Sequence, residues 1–324
     1  MTLTAPLSAS RRRRWLLLGV LAVIAAALLS VCLSPDGFVA LDVDNPLLQL
    51  RTKRVAQALL AGGVLGGTGV ILQALLHNPL ADPYIIGVSG GAALGGTVVL
   101  VVVGASPVAL MAGSSAGGLI TLLVLTAFLA RSRRGGDPAL LAGVVINAFA
   151  AALITLVKTA LPADKAQALM FWLVGQIGYP SSTTLLATGA FSVGALLLCV
   201  TRAGKLELLS FGDDDAQRLG VNVQRERLLF FIVAALLVGM LIPQVGMIGF
   251  LGLVLPHVLR RVVDADHRLL LPLSILSGAA ALALLDGVAR LLFPVLQTEL
   301  PVGALTAVVF APIFAWSLFT EVRS

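Results

Sequence analysis

The 324 residues are 58% hydrophobic and 12% charged, with a mean hydropathy of +1.02. Such a composition excludes an ordinary soluble domain and points to one integral membrane unit. The net charge of +6 sits on loop lysines and arginines, so orientation in a membrane explains it better than nucleic acid does.

Arg11, Arg12, Arg13 and Arg14 precede an apolar run over residues 15–33. The run is long enough to span and no small-x-small cleavage site follows, so it reads as a membrane helix. Leu29-Ser-Val-Cys32 makes a poor lipoprotein site, because Val31 stands before the cysteine. Further candidate spans cover 55–76, 88–104, 108–130, 139–161, 184–201, 228–242, 246–258, 271–293 and 302–319. The reading is an all-α integral membrane protein of about ten transmembrane helices, in a single domain over residues 1–324. Several spans are shorter than the ~20 residues a straight crossing needs, the eighth most of all. Cys32 and Cys199 both lie in apolar runs and imply neither a disulfide framework nor a thiolate metal site.

The positive-inside rule supports an even number of spans. With the N-terminus inside, the inner side carries Arg11, Arg12, Arg13, Arg14, Arg131, Arg133, Arg134, Arg202, Lys205, Arg218, Arg225, Arg227, Arg260, Arg261, Arg268 and Arg323. That is 16 of the 22 basic residues. Arg51, Lys53, Arg54 and Lys165 fall outside, with Lys158 and Arg290 near outer helix ends. Both termini are then cytoplasmic.

Between the second and third spans lies a helix end followed by a forced break, residues 73–91. Pro79 and Pro83 push the residues before them out of the α region, and Gly87, Gly90 and Gly91 permit close backbone approach. In a bilayer such a break survives only at the interface or inside protein.

Within the longest inner loop, about 202–227, residues 206–222 read as a short helix. Ser210 or Asp213 could cap it, while Asp213, Asp214 and Asp215 suit its positive end and Gly220 suits its exit. Two readings stand: a solvated amphipathic connector, or a segment that docks on a cytoplasmic partner.

Ionisable residues inside spans are functional candidates. Asp286 and Arg290, four apart, can pair along one helix face. Lys158 shares a stripe with Thr155, Ala151 and Asn147, which could line a water-filled path; simple snorkelling of Lys158 is the alternative. His77, His257 and His267 match no zinc spacing and fit helix ends better, where they can bond loose carbonyls. No Gly-x-x-x-x-Gly-Lys-Ser/Thr loop occurs, so energy is expected from a partner or an ion gradient, and an enzyme is not expected.

Asn78-Pro-Leu-Ala-Asp-Pro83 followed by Gly87-Val-Ser-Gly-Gly-Ala92 resembles the membrane subunit of bacterial ABC importers for iron chelates, haem and cobalamin, the FecCD/BtuC-like permeases. Leu209-Ser-Phe-Gly212 with Ala216 and Leu219-Gly-Val221 is similar to that family's coupling segment. Gly246-Met-Ile-Gly-Phe-Leu-Gly-Leu-Val-Leu-Pro-His257, Asp266-His-Arg268, Asp286-Gly-Val-Ala-Arg290, Glu299-Leu-Pro-Val-Gly303 and Phe310-Ala-Pro-Ile-Phe314 follow in the family's order. Two departures occur. Arg51-Thr-Lys-Arg54 replaces Arg-Leu-Pro-Arg, and Met247 stands where a proline or small residue is common.

The resemblance implies a homodimeric permease of the bacterial inner membrane, with one central path lined largely by the fifth helices, including Asn147, Ala151, Thr155 and Lys158. It implies two cytoplasmic ATPases, which carry the ATP and Mg, docked on Leu209, Phe211, Gly212, Asp213, Asp214, Asp215, Ala216, Leu219 and Gly220. It implies a periplasmic binding protein whose carboxylates meet Arg51, Arg54 and Arg290. The motif loop of Asn78, Pro79, Asp82, Pro83 and Gly87 is a family mark. No metal and no cofactor is expected on this chain, and its partners include membrane lipid but no nucleic acid. The expected cargo is an iron complex, haem or a ferric siderophore, with cobalamin as the alternative. An ion-coupled secondary transporter is less favoured, since the only span carboxylate, Asp286, already has Arg290 as a neighbour.

Overall fold

The computed structural model describes residues 9–34, 37–38, 46–104, 106–131, 137–263 and 266–322. The expected inner-side residues Arg133, Arg134 and Arg323 lie outside the described residues. The described chain runs α1 (Ala9–Cys32), β1 (Leu33–Ser34), β2 (Gly37–Phe38), α2 (Pro46–Leu75), α3 (Val88–Val102), α4 (Pro107–Arg131) and α5 (Asp137–Thr159). It continues with α6 (Ala163–Val174), α7 (Ser182–Thr201), α8 (Ala203–Ser210), α9 (Asp213–Arg218), α10 (Val223–Val245), α11 (Leu251–Val262), α12 (His267–Leu291), α13 (Phe293–Leu296) and α14 (Val302–Val322). The two strands form a two-residue antiparallel pair, so the architecture is helical throughout.

Without water to satisfy them, backbone groups in hydrocarbon must bond within their own segment, which makes helices the outcome of these apolar runs. Among the described residues, seven helices are long and apolar enough to cross a membrane: α1, α2, α4, α5, α7, α10 and α12. The apolar helices α3 and Val302–Ser317 of α14 are shorter.

The bundle is built around α2. Its apolar window is 83% buried, against 11% for α1 and 17% for α5, so α2 is the axis and the other two lie at the rim. α12 packs along α2 because Gly62 and Gly66 let the backbones meet. A Cβ at Gly62 would lie 2.6 Å from the Gly278 carbonyl carbon, and one at Gly66 2.9 Å from that of Ser274. Close approach through small residues is the usual basis of helix association in a membrane.

Three expectations are corrected. The eighth span does not begin at 246, since residues 246–249 are irregular and α11 starts only at Leu251. Gly246 and Phe250 both have φ of 68°, and a left-handed residue cannot continue a right-handed helix. The inner loop forms two short helices rather than one. Neither expected residue caps the second: Ser210 Oγ donates to the Glu207 carbonyl, and α9 starts after Gly212 with no side-chain cap. Finally, α6 was not foreseen; its 12 residues are too few for a span and carry Asp164 and Lys165 in the first turns.

Candidate functional sites at the two ends of the bundle

At the end that carries the N-terminal arginines, α8 and α9 form a platform fastened on several sides. Lys205 Nζ lies 2.6 Å from Glu226, and Arg202 reaches both Glu226 oxygens at 2.9 Å. Glu207 accepts from the His267 backbone N–H at 2.7 Å and meets its Nδ1 at 2.5 Å, which ties α8 to the start of α12. His77 Nε2 donates to the Leu209 carbonyl at 2.9 Å, which ties α8 to the end of α2. Asp213 pairs with Arg227. Leu209 and Ala216 are fully buried beneath this platform, while Phe211 and Leu219 stand 58% and 62% exposed on it. Asp214 and Asp215 are exposed as well. Gly212 (φ 121°) and Gly220 (φ 83°) take backbone angles that side chains disfavour, and they set where α9 begins and ends. Phe211 and Leu219 thus hold two bulky apolar groups toward solvent on a braced base.

Next to the platform sits the proline-rich break, residues 76–87. Asn78 Oδ1 accepts from Leu80 N–H and Asp82 Oδ1 from Tyr84 N–H, both at 2.8 Å, so each side chain closes its own turn. Pro79 and Pro83 fall inside these turns, and Gly87 (φ 88°) leads into α3. Asp82 is buried, and that burial pushes its carboxyl up to about 6 while the backbone N–H groups of Tyr84, Ile85 and Leu253 hold it down. Gln73 Nε2 donates to the Gly252 and Leu253 carbonyls, and Arg260 bonds Gln73 Oε1 at 2.5 Å.

The stripe on α5 divides. Ala151 and Thr155 are exposed, and Lys158 Nζ approaches Met170 Sδ at 2.9 Å. Asn147 instead turns onto the break, its Nδ2 donating to the carbonyls of Tyr84 at 2.5 Å and Ile85 at 3.2 Å.

At the opposite end Arg54 and Arg290 converge on Asp286. Arg54 Nε donates to Oδ1 at 2.9 Å, and Arg290 Nε lies 3.2 Å from Oδ2. The three residues are 1%, 6% and 0% exposed. Arg54 also donates to Tyr179 Oη at 3.1 Å, and Arg290 donates to the Ser30 and Leu33 carbonyls at 2.6 and 3.0 Å. Glu299 lies 3.5 Å from Arg54 and accepts from Gln176 at 2.8 Å. A pocket of about 120 Å³ opens above, lined by Arg51, Arg54, Tyr179, Arg290, Phe293 and Glu299.

The pairing of Asp286 with Arg290 was readable from their spacing; the third partner, Arg54, was not. The structure gathers all three expected arginines around one pocket, yet the guanidiniums of Arg54 and Arg290 are engaged inside the protein. Tyr179 had no assigned role in the sequence and Glu299 only a place in a motif, whereas His77 was expected to bond a loose carbonyl at a helix end and does so at Leu209. A carboxylate at a helix boundary in so apolar a chain was the physical signal that could have given Glu299 a contact role beyond its motif.

Seven membrane-length helices among the described residues, braced at one end by the platform and at the other by the buried arginine cluster, define a multi-pass membrane protein. The chain belongs to the FecCD transport family, whose profile matches residues 16–320. It is 36% identical to the haemin transport system permease protein HmuU of Yersinia pestis over 279 residues, 85% of this chain and 83% of that one. It is also 36% identical to the vitamin B12 import system permease protein BtuC of Salmonella typhi, with 97% of each chain covered. Among solved structures, an inward-facing conformation of a metal-chelate type ABC transporter matches with a TM-score of 0.84 and 28% identity, covering 95% of this chain and 99% of that one. Family membership makes this chain an ABC importer permease, and the named relatives are themselves permease subunits.

Proposed function

We propose that this chain is the membrane-spanning subunit of an ATP-driven importer that moves an iron complex, haem or a ferric siderophore, from periplasm to cytoplasm by alternating access. The observation that carries the reading is the exposed Phe211–Leu219 pair on a platform braced against α2, α10 and α12, which suits a cytoplasmic ATPase. The α8–α9 region, about 205–222, is then the coupling segment of a single permease domain over residues 1–324. The seven long helices, joined by α3, α11 and α14, make ten crossings with both termini cytoplasmic. Two copies pair about a central path, for which the exposed face of α5 with Ala151, Thr155 and Lys158 supplies lining. ATP and Mg belong to two ATPase subunits, and a periplasmic binding protein docks at the arginine pocket. A cobalamin cargo is the second reading, favoured by the near full-length match to the vitamin B12 permease.

The test is uptake into liposomes that hold the permease with its co-expressed ATPase, each cargo offered with a matching binding protein. ATP-dependent accumulation of one compound supports the importer and identifies the cargo. Movement driven by a proton gradient alone would replace it with a secondary transporter.

Of the three arginines, Arg51 reports best on docking, because reversing Arg54 or Arg290 would set a carboxylate beside buried Asp286. Arg51→Glu is expected to weaken binding-protein affinity at least about tenfold, or 1.4 kcal/mol, with unfolding temperature unchanged. Unaltered affinity in a surface-binding assay would remove Arg51 from the docking face.

A further inference from the structure

The break between α2 and α3 touches both machines of the proposed importer. At its start, His77 closes a hydrogen bond to Leu209 on the platform, held in a left-handed backbone conformation with φ of 49°. A non-glycine residue in that conformation persists only where its surroundings fix it. At its far end, the carbonyls of Tyr84 and Ile85 are both taken by Asn147 of α5. The contact there is close on the backbone side too. A Cβ at Gly143 of α5 would lie 2.6 Å from Ile86 Cα, so this turn of α5 and the loop touch without intervening side chains. Between the two ends the loop is stiff: two prolines, two side-chain-closed turns, and Asp82 bonded to the Leu253 N–H near the start of α11.

We propose that residues 77–87 form a rigid link that transmits displacement of the coupling segment to α5, with His77 and Asn147 as its two attachment points. Asn147 is thereby a positioning residue for the path helix and leaves cargo contact to Ala151, Thr155 and Lys158. This rests on the reading above that α8–α9 seats the ATPase and α5 lines the path. The physical basis is continuity: a chain of packed, hydrogen-bonded groups with no flexible step can carry a shift between two sites. Solvation of a loop alone would not require that both carbonyls of one turn be met by a single amide from another helix.

The test uses the complete transporter in liposomes and reads cargo molecules moved per ATP hydrolysed. His77→Ala and Asn147→Ala are each expected to lower that ratio about fivefold while ATP hydrolysis and unfolding temperature hold. Because the two attachments act in series, the double variant is expected to be no worse than the worse single one. Independent losses would instead multiply to about 25-fold, and that outcome would overturn the link. An unchanged ratio in either single variant would overturn it too.

A second variant guards against a folding artefact. Ile85→Cys with Asn147→Cys, in a background with Cys32 and Cys199 replaced by serine, removes the clasp and then restores it covalently on oxidation. Transport is expected to be low when reduced and to recover when oxidised. An oxidised transporter that stays blocked would mean that loop and α5 must slide past each other, which is the opposite of the proposal. A wild-type transporter that takes up no cargo on ATP would instead fell the underlying reading, and this inference with it.

Discussion

Replacing Asp286 by alanine is expected to be the most damaging single change in the chain. The carboxylate is fully buried and is the counter-charge for both Arg54 and Arg290, themselves almost wholly buried. Removing one partner of a buried ionic group leaves uncompensated charge, which costs about 3–5 kcal/mol. A fall of more than about 5 °C in unfolding temperature in detergent should follow. Asp286→Asn retains an acceptor for Arg54 and should lose less. Replacing the whole group (Arg54→Met, Asp286→Leu and Arg290→Met) should recover part of the loss, because no buried charge is left without a partner. The recovery stays partial, since Arg290 also satisfies the Ser30 and Leu33 carbonyls. The asparagine variant carries a second reading: an importer driven by ATP keeps its uptake, whereas a carrier that protonates this carboxylate would stop. An alanine variant as stable as the wild type would show that the cluster is not the fastening described.

The second large effect is expected at the opposite end. Phe211→Ala combined with Leu219→Ala should abolish most ATPase association, lowering affinity by about 100-fold, near 2.8 kcal/mol for two apolar anchors. Both side chains are more than half exposed, so their truncation opens no cavity and the unfolding temperature should stay put. Co-purification and surface binding in nanodiscs would read the two quantities separately. Changes at Leu209 or Ala216, buried beneath the same platform, should do the reverse and unfold the segment before they touch the interface. Undiminished ATPase binding by the double variant would place the docking surface elsewhere.

The long helices were legible because the bilayer leaves the backbone a single option wherever an apolar run is long enough. Legibility ended where length did. α6, α11 and the pair α8–α9 are short, and their limits come from Gly175, Gly246, Phe250 and Gly212 in conformations that a hydropathy pattern does not encode, whereas Gly220 was readable as a helix exit. At the sites, the i,i+4 pair of Asp286 and Arg290 could be read along one helix. The contacts of Arg54 to Asp286, His77 to Leu209 and Asn147 to Tyr84 join residues 232, 132 and 63 positions apart. Pairings at that range are set by how whole helices stack. The stripe of Asn147, Ala151, Thr155 and Lys158 was sound as helical geometry, yet which neighbour each member meets depended on a loop sixty residues upstream.

The rim helix α1 is bound to α12 at both tips: Arg12 to Asp266 at 2.5 Å, and Ser30 with Leu33 to Arg290. Little else covers it. These partners are made more than 250 residues later, a wait of roughly ten to fifty seconds at ordinary elongation rates. Through that interval α1 lacks its partners on α12 and Arg54 has no Asp286 to meet. The seating of α1 and the neutralisation of Arg54 therefore wait until α12 has been made, with α14 still to follow.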